Sequence, residues 1–165
     1  TTNDKKKYDY IRKLRNLGSE KKFLHDIIGV NSRLDTLQAL ILLRKIENLD
    51  FYNSKRVNLA KIYDKEIIND KIIKLKYSKG CVFHQYVVKT KNIKKLMQHL
   101  TLNKIPYGRH YPYPLHKLKA TKKLFLKQKF PNTEFLAKNG ISLPVDPTLD
   151  KKDAINVCKI INSFN

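Results

Sequence analysis

A mixed α/β fold, with a small mainly antiparallel sheet backed by helices, is the class the sequence predicts. Three observations predict it. Runs with apolar residues at helical spacing alternate with short runs rich in β-branched and aromatic residues. From residue 32 onward the order is a long helix, two strands, a helix, a short extended segment, a helix, a strand and a closing helix. The 165 residues suit one domain or a part of a larger one, in which folding buries roughly two thirds of the unfolded surface.

The elements follow in order. "DKKKYDYIRKLRNLG" places Tyr8, Ile11, Leu14 and Leu17 at helical spacing and ends on Gly18, which predicts a helix over 4–17. After the loop "SEKKFLHDIIGVN", Ser32 and Asp35 match an S-x-x-D capping box, and Leu34, Leu37, Leu40, Ile41, Leu43 and Ile46 supply a wide apolar face. One long helix over 34–69, bent near Asp50, is expected. "KIIKLKYS" and "CVFHQYVVKT" predict two strands turning at Lys79 and Gly80, with His84 inside the second as a satisfied structural histidine. "NIKKLMQHLTLNK" returns to helix, with Ile93, Leu96, Met97 and Leu100 on one face. Pro106 and Pro112 keep "IPYGRHYP" extended, because the residue before a proline avoids the helical region. The remainder predicts a helix over 132–139, a strand "ISLPV" and a closing helix "KKDAINVCKIINSF".

The formal net charge is +21, from 35 Lys and Arg against 14 Asp and Glu, which raises a nucleic-acid reading. Scattered lysines, an abundance of isoleucine and asparagine of the kind AT-rich codons produce, and the lack of interleaved stacking aromatics make it the weaker one. Cys81 and Cys158 lie far apart and outside any CxxC context, so no metal site and no disulfide framework is expected. The longest continuous apolar run, "ALILL", is too short to span a bilayer and no signal-peptide core opens the chain, so a cytoplasmic location without membrane contact is expected. Met97 is the only methionine and "TTND" has no initiator, which reads as a piece of a longer chain.

"GRHYPYPLHK", residues 108–117, packs two histidines, two tyrosines, two prolines and an arginine into one short segment. Histidine and tyrosine carry directional hydrogen-bonding groups, and proline fixes the backbone that aims them. Together with "GVNSRLDTLQALILLRKIENLD", "FHQYVV" and "FPNTEFLAKNGISLPVDPTL", this segment resembles the C-terminal part of the DegT/DnrJ/EryC1/StrS family of pyridoxal-phosphate-dependent sugar aminotransferases. Leu40 stands where that family usually has alanine, and Lys104 where a glycine commonly precedes the Ile-Pro turn.

The resemblance implies an aspartate-aminotransferase-type fold (fold type I) with the end of the large cofactor domain over 1–33, a long connecting helix over 34–69 and a small C-terminal domain over 70–165. It implies a homodimer that uses pyridoxal 5'-phosphate to move an amino group from an amino acid such as glutamate onto a nucleotide-linked keto sugar. The Schiff-base lysine lies upstream of the matching segment, so this chain holds no catalytic residue and is expected to be inactive alone. Asn31 is implied to reach the cofactor phosphate of the partner subunit, with Arg33 pairing a phosphate or a carboxylate. On spacing alone, the reading in which Asn31 and Ser32 merely cap the following helix is the stronger one, and the family resemblance reverses that order. Arg109, His110, Tyr111 and His116 are implied to contact the nucleotide-sugar, while Tyr111, Tyr113 and Leu115 read otherwise as packing residues. The alternatives are a non-enzymatic basic nucleic-acid-binding protein and a functionless remnant of a broken gene.

Overall fold

A computed structural model describes residues 1–165 apart from Lys22 and Lys127. The chain divides into two compact units, Thr1–Asn48 and Leu49–Asn165.

In the first unit, helix α1 spans Lys5–Leu14, with Asp4 accepting hydrogen bonds from the amides of Lys6 and Lys7 as its N-cap. The helix stops three residues earlier than the glycine signal predicts. Its terminal carbonyls are satisfied instead by a returning segment: Val30 N donates to Leu14 O at 2.8 Å and Ser32 N to Arg15 O at 2.9 Å. Gly18 is the hinge of that return, at φ +77°, where an added Cβ would lie 1.7 Å from the Ile27 carbonyl oxygen. A short hairpin of β1 (Ser19–Lys21) and β2 (Leu24–His25) closes the loop.

The expected single helix over 34–69 is two helices. Helix α2 covers Thr36–Ile46 and α3 covers Leu49–Glu66, with a turn at Glu47 and Asn48 between them. The Ser32 capping box is also corrected. Asp35 caps α2, its side chain accepting from Leu37 N at 2.9 Å, and Ser32 lies in extended chain before it. No residue of α2 is buried, and Leu37, Leu40, Ile41, Leu42, Leu43 and Ile46 are all more than half exposed.

The second unit holds the core. A three-stranded antiparallel sheet runs in the order β3 (Ile73–Lys74), β4 (Tyr86–Lys89), β5 (Gly140–Leu143). Tyr86 pairs with Leu143 and Val88 with Ile141, so the inward faces of β4 and β5 coincide. Helices α3, α4 (Ile93–Leu102) and α6 (Lys151–Asn162) supply Leu59, Ala60, Tyr63, Leu96, Leu100, Ala154, Val157 and Ile161 to the same cluster, at the spacing of one buried stripe each. Helix α5 (Pro131–Asn139) leads directly into β5.

The strand expected over "KIIKLKYS" is reduced to two residues for a visible reason. The Tyr77 hydroxyl accepts from Val87 N at 2.8 Å and donates to Val87 O at 3.2 Å, so a side chain takes the place of a ladder residue. Two asparagines tie the ends of α3 and α6 together. Asn162 Oδ1 accepts from Ile68 N at 2.9 Å, and Asn69 Nδ2 donates to Ile161 O at 2.9 Å and Phe164 O at 2.8 Å. These bonds satisfy backbone groups that helix ends leave open.

Tyr63 is fully buried against Tyr86, and its hydroxyl donates to Pro144 O at 2.5 Å. Tyr63→Phe removes that donor and is expected to lower the unfolding free energy by about 1–3 kcal/mol, seen as a lower urea midpoint with an unchanged slope. Burial raises the Cys158 thiol to about 11. The folded state keeps the thiol neutral while the unfolded chain ionises in the ordinary thiol range, so this contribution is complete at neutral pH and fades as pH rises towards about 11. Comparison of unfolding titrations of the wild type and Cys158→Ala between neutral and alkaline pH is expected to isolate that fading part, with the smaller loss in the variant.

Candidate functional site

Among the described residues, each unit carries a polar-lined concavity that includes residues singled out by the sequence. In the first, the bridge between Asn16 and Asn31 sets the returning segment against the end of α1. Arg33 Nε donates to Asn31 Oδ1 at 3.0 Å, which occupies the amide oxygen and leaves Asn31 Nδ2 and the terminal guanidinium nitrogens as outward donors. Arg33 also lines a concavity of about 380 Å³ with Arg12, Arg15 and Lys13. Lys13 is held charged by Glu20, at 2.5 Å, and Asp26, at 3.0 Å, and its ammonium value is raised for that reason. Asn31 lies five residues before α2, so helix capping does not account for it, and the α2 N-terminus does not supply its environment either.

In the second unit, an isolated bridge pairs Gly108 with Ser142 of β5: Ser142 N donates to Gly108 O at 2.8 Å and Gly108 N to Ser142 O at 3.1 Å. From there the extended chain alternates sides. Gly108 and His110 line a concavity of about 440 Å³ together with Arg56 of α3, His84, Ser142 and Asp146. Arg109, between them, points the other way, and its guanidinium donates to Ala137 O at 2.5 Å and Lys138 O at 3.2 Å. Cations at these carbonyls complement the C-terminus of α5. Arg109 is thus engaged by the fold.

His116 is engaged as well. Its Nε2 is 3.1 Å from Glu134 Oε1, and its ring lies 4.9 Å from that of Phe130. Lys117 bonds the other oxygen of the same carboxylate. Tyr111, Tyr113 and Leu115 are about 70% exposed, so packing does not explain them. His110 is exposed as well, and its ring meets that of Tyr111 edge to face at 5.6 Å. His84 lies in a bend before β4 and lines the concavity, in place of its expected position within the strand.

Sequence reading missed Arg56, Ser142 and Asp146. Asp146 alone carried a local signal, the Asp-Pro-Thr turn. Its carboxylate accepts from Thr148 Oγ1 at 2.6 Å and Thr148 N at 2.9 Å. These bonds hold it below the usual carboxylate range, with the Arg56 charge adding to the effect. Among the described residues no group of three or more His, Cys, Asp or Glu is placed to hold a metal, and no helix is long and apolar enough to cross a membrane.

The sheet, the helices around it and the loop at 108–117 are those of the C-terminal part of the pyridoxal-phosphate sugar aminotransferases. A crystal structure of Streptomyces venezuelae DesV with a ketimine intermediate superposes with a TM-score of 0.89 at 30% identity, covering 98% of this chain and 45% of that one. An aminotransferase from Brucella abortus gives 0.86 at 29% identity over 99% of this chain. The chain belongs to the DegT/DnrJ/EryC1/StrS aminotransferase family, whose profile matches residues 1–162. Among curated relatives, the dTDP-3-amino-3,6-dideoxy-alpha-D-galactopyranose transaminase of Aneurinibacillus thermoaerophilus is 35% identical over 99% of this chain and 46% of its own length. The UDP-2-acetamido-2-deoxy-3-oxo-D-glucuronate aminotransferase of Pseudomonas aeruginosa is 32% identical over 98% of this chain and 45% of its own. The chain therefore spans about half the length of the curated relatives it matches.

Glu134 holds the 115–117 turn to α5, and its carboxyl is lowered, first by Lys117 and then by His116. Those bonds are present above the ordinary carboxylate range and are lost as pH falls through the lowered value. Glu134→Ala is expected to speed amide hydrogen exchange at residues 115–118 at neutral pH while leaving β4 and β5 protected. In the wild type, acid is expected to lower the protection factors of the same amides, after correction for the slower intrinsic exchange at low pH.

Proposed function

We propose that this chain is the C-terminal part of a pyridoxal-phosphate-dependent nucleotide-sugar aminotransferase that works as a homodimer. In this reading an amino acid such as glutamate gives its amino group to a nucleotide-linked keto sugar, and the Schiff-base lysine lies outside residues 1–165. The observation that carries the reading is the family match over residues 1–162 combined with an outward donor set at Asn31 and Arg33.

When bound, pyridoxal phosphate supplies the electron sink for moving the amino group. Asn31 and Arg33 fit its phosphate because the Asn31 Nδ2 group and the Arg33 guanidinium both offer donors, while the bond from Arg33 Nε to Asn31 Oδ1 holds the two side chains together. Asn31 serves the cofactor phosphate of the partner subunit, and Arg33 adds charge beside it. His110 and Tyr111 contact the nucleotide-sugar, while Arg109 and His116 hold the loop that presents them. Pro112 and Pro114 reduce the ordering that binding requires. The exposed apolar residues of α2 are covered in the complete enzyme by its remaining half or by the second subunit.

The test uses the complete dimeric enzyme. Asn31→Ala is expected to weaken cofactor retention by about 1.5–3 kcal/mol, the worth of a hydrogen bond to a charged group, measured by dialysis and absorbance. Hybrids of this variant with a subunit lacking the catalytic lysine separate the two geometries. If Asn31 acts across the interface, one site of each hybrid carries both defects and the other carries none, so activity returns on mixing. No recovery sinks the cross-subunit assignment.

A further inference from the structure

Three observations converge on the His110 ring. Its Nδ1 lies 2.9 Å from Ser142 Oγ, in a residue only 5% exposed. The imidazole fills the space a side chain at Gly108 would take: a Cβ there would sit 2.3 Å from His110 Cε1 and 2.9 Å from Nδ1. Ser142 and Gly108 are themselves locked to each other by the reciprocal amide bonds of their bridge. The two residues that confine the imidazole are therefore one rigid unit built on β5.

From this geometry we infer that Ser142 and Gly108 are positioning residues that hold the His110 ring in the tautomer with its proton on Nε2, ready to donate to an acceptor oxygen of the ligand. This rests on the reading that the concavity beside His110 takes a nucleotide-sugar. Among the described residues the buried Ser142 hydroxyl has one hydrogen-bond partner, His110 Nδ1. A proton on Nδ1 would leave the serine O–H with no acceptor among the described residues, the costlier arrangement. The hydroxyl therefore donates to Nδ1, and the ring proton sits on Nε2, which makes no other bond and lies at the wall of the concavity. The acceptor it suits is a sugar hydroxyl or a diphosphate oxygen. The glycine at 108 has its own reason: any side chain would push the ring off the serine.

The complete dimeric enzyme, isotope-labelled at histidine, is the sample. Long-range proton–nitrogen correlation of the His110 ring reads the tautomer, carbon relaxation reads the ring's order, and thymidine diphosphate is the probe. In the wild type a pyrrole-type Nε2, a pyridine-type Nδ1 and an ordered ring are expected. Ser142→Ala, which removes the donor, and Gly108→Ala, which keeps the serine but displaces the ring, are each expected to give a mobile ring with a mixed tautomer. Both are expected to bind thymidine diphosphate about three- to tenfold more weakly, the cost of ordering one side chain on binding. A wild-type ring protonated on Nδ1 overturns the inference, as does a ring equally ordered in all three proteins or equal probe affinity in all three. If the ring behaves as expected but the probe leaves the wild type untouched, the cradle stands and the nucleotide reading of the concavity falls. Gly108→Ala keeps the test decisive should Ser142→Ala fail to fold, because every side chain of β5 is retained.

Discussion

The second unit depends on a strand that is buried along its whole length. All four residues of β5 are buried, with β4 bonded to one edge and Gly108 to the other. A strand in that position must place every amide and carbonyl on a partner, because an unpaired backbone group there costs as much as a lost hydrogen bond. The bridge to Gly108 meets that demand for Ser142, and in doing so it fixes the chain from which the 108–117 loop starts. The alternation beyond the bridge then sends His110 to the concavity and Arg109 to the end of α5. Tyr63 extends the same constraint past β5 by holding the Pro144 carbonyl. Loop geometry at the site is thus inherited from sheet pairing.

Much of this was readable from the residues, and the failures have physical causes. Helices α4, α5 and α6 and strand β5 follow periodicity and breakers closely, since each is a local pattern packed on one core. The strand over "KIIKLKYS" fails because the hydroxyl of Tyr77, near the end of that segment, takes the Val87 amide and carbonyl that a strand backbone would otherwise pair. The S-x-x-D box fails because Ser32 N is already committed to Arg15 O, holding that residue in extended chain and passing the cap to Asp35. Both are tertiary effects on short signals, where propensity is weakest.

Site residues divide in the same way. The concentration of histidine, tyrosine and proline at 108–116 marks a segment of directed polar groups, and composition alone locates it. Which groups face outward is a matter of pairing register, so Arg109 and His116, equal to His110 in the sequence, are bound by the helix α5 carbonyls and by Glu134. Arg56, Ser142 and Asp146 come from three separate elements, and no local pattern could join them.

With residues 1–165 taken alone, helix α2 leaves apolar side chains exposed on a chain of formal charge +21. Two forces of different range then act between copies in solution. Charge repulsion extends over a Debye length, about 10 Å at 0.1 M salt, whereas the attraction of exposed leucine and isoleucine acts only at contact. Raising ionic strength shortens the first and leaves the second, so added salt drives copies of this chain together. The lysines scattered over the surface thereby act as a colloidal guard over an apolar helix, and the guard is as strong as the medium is dilute.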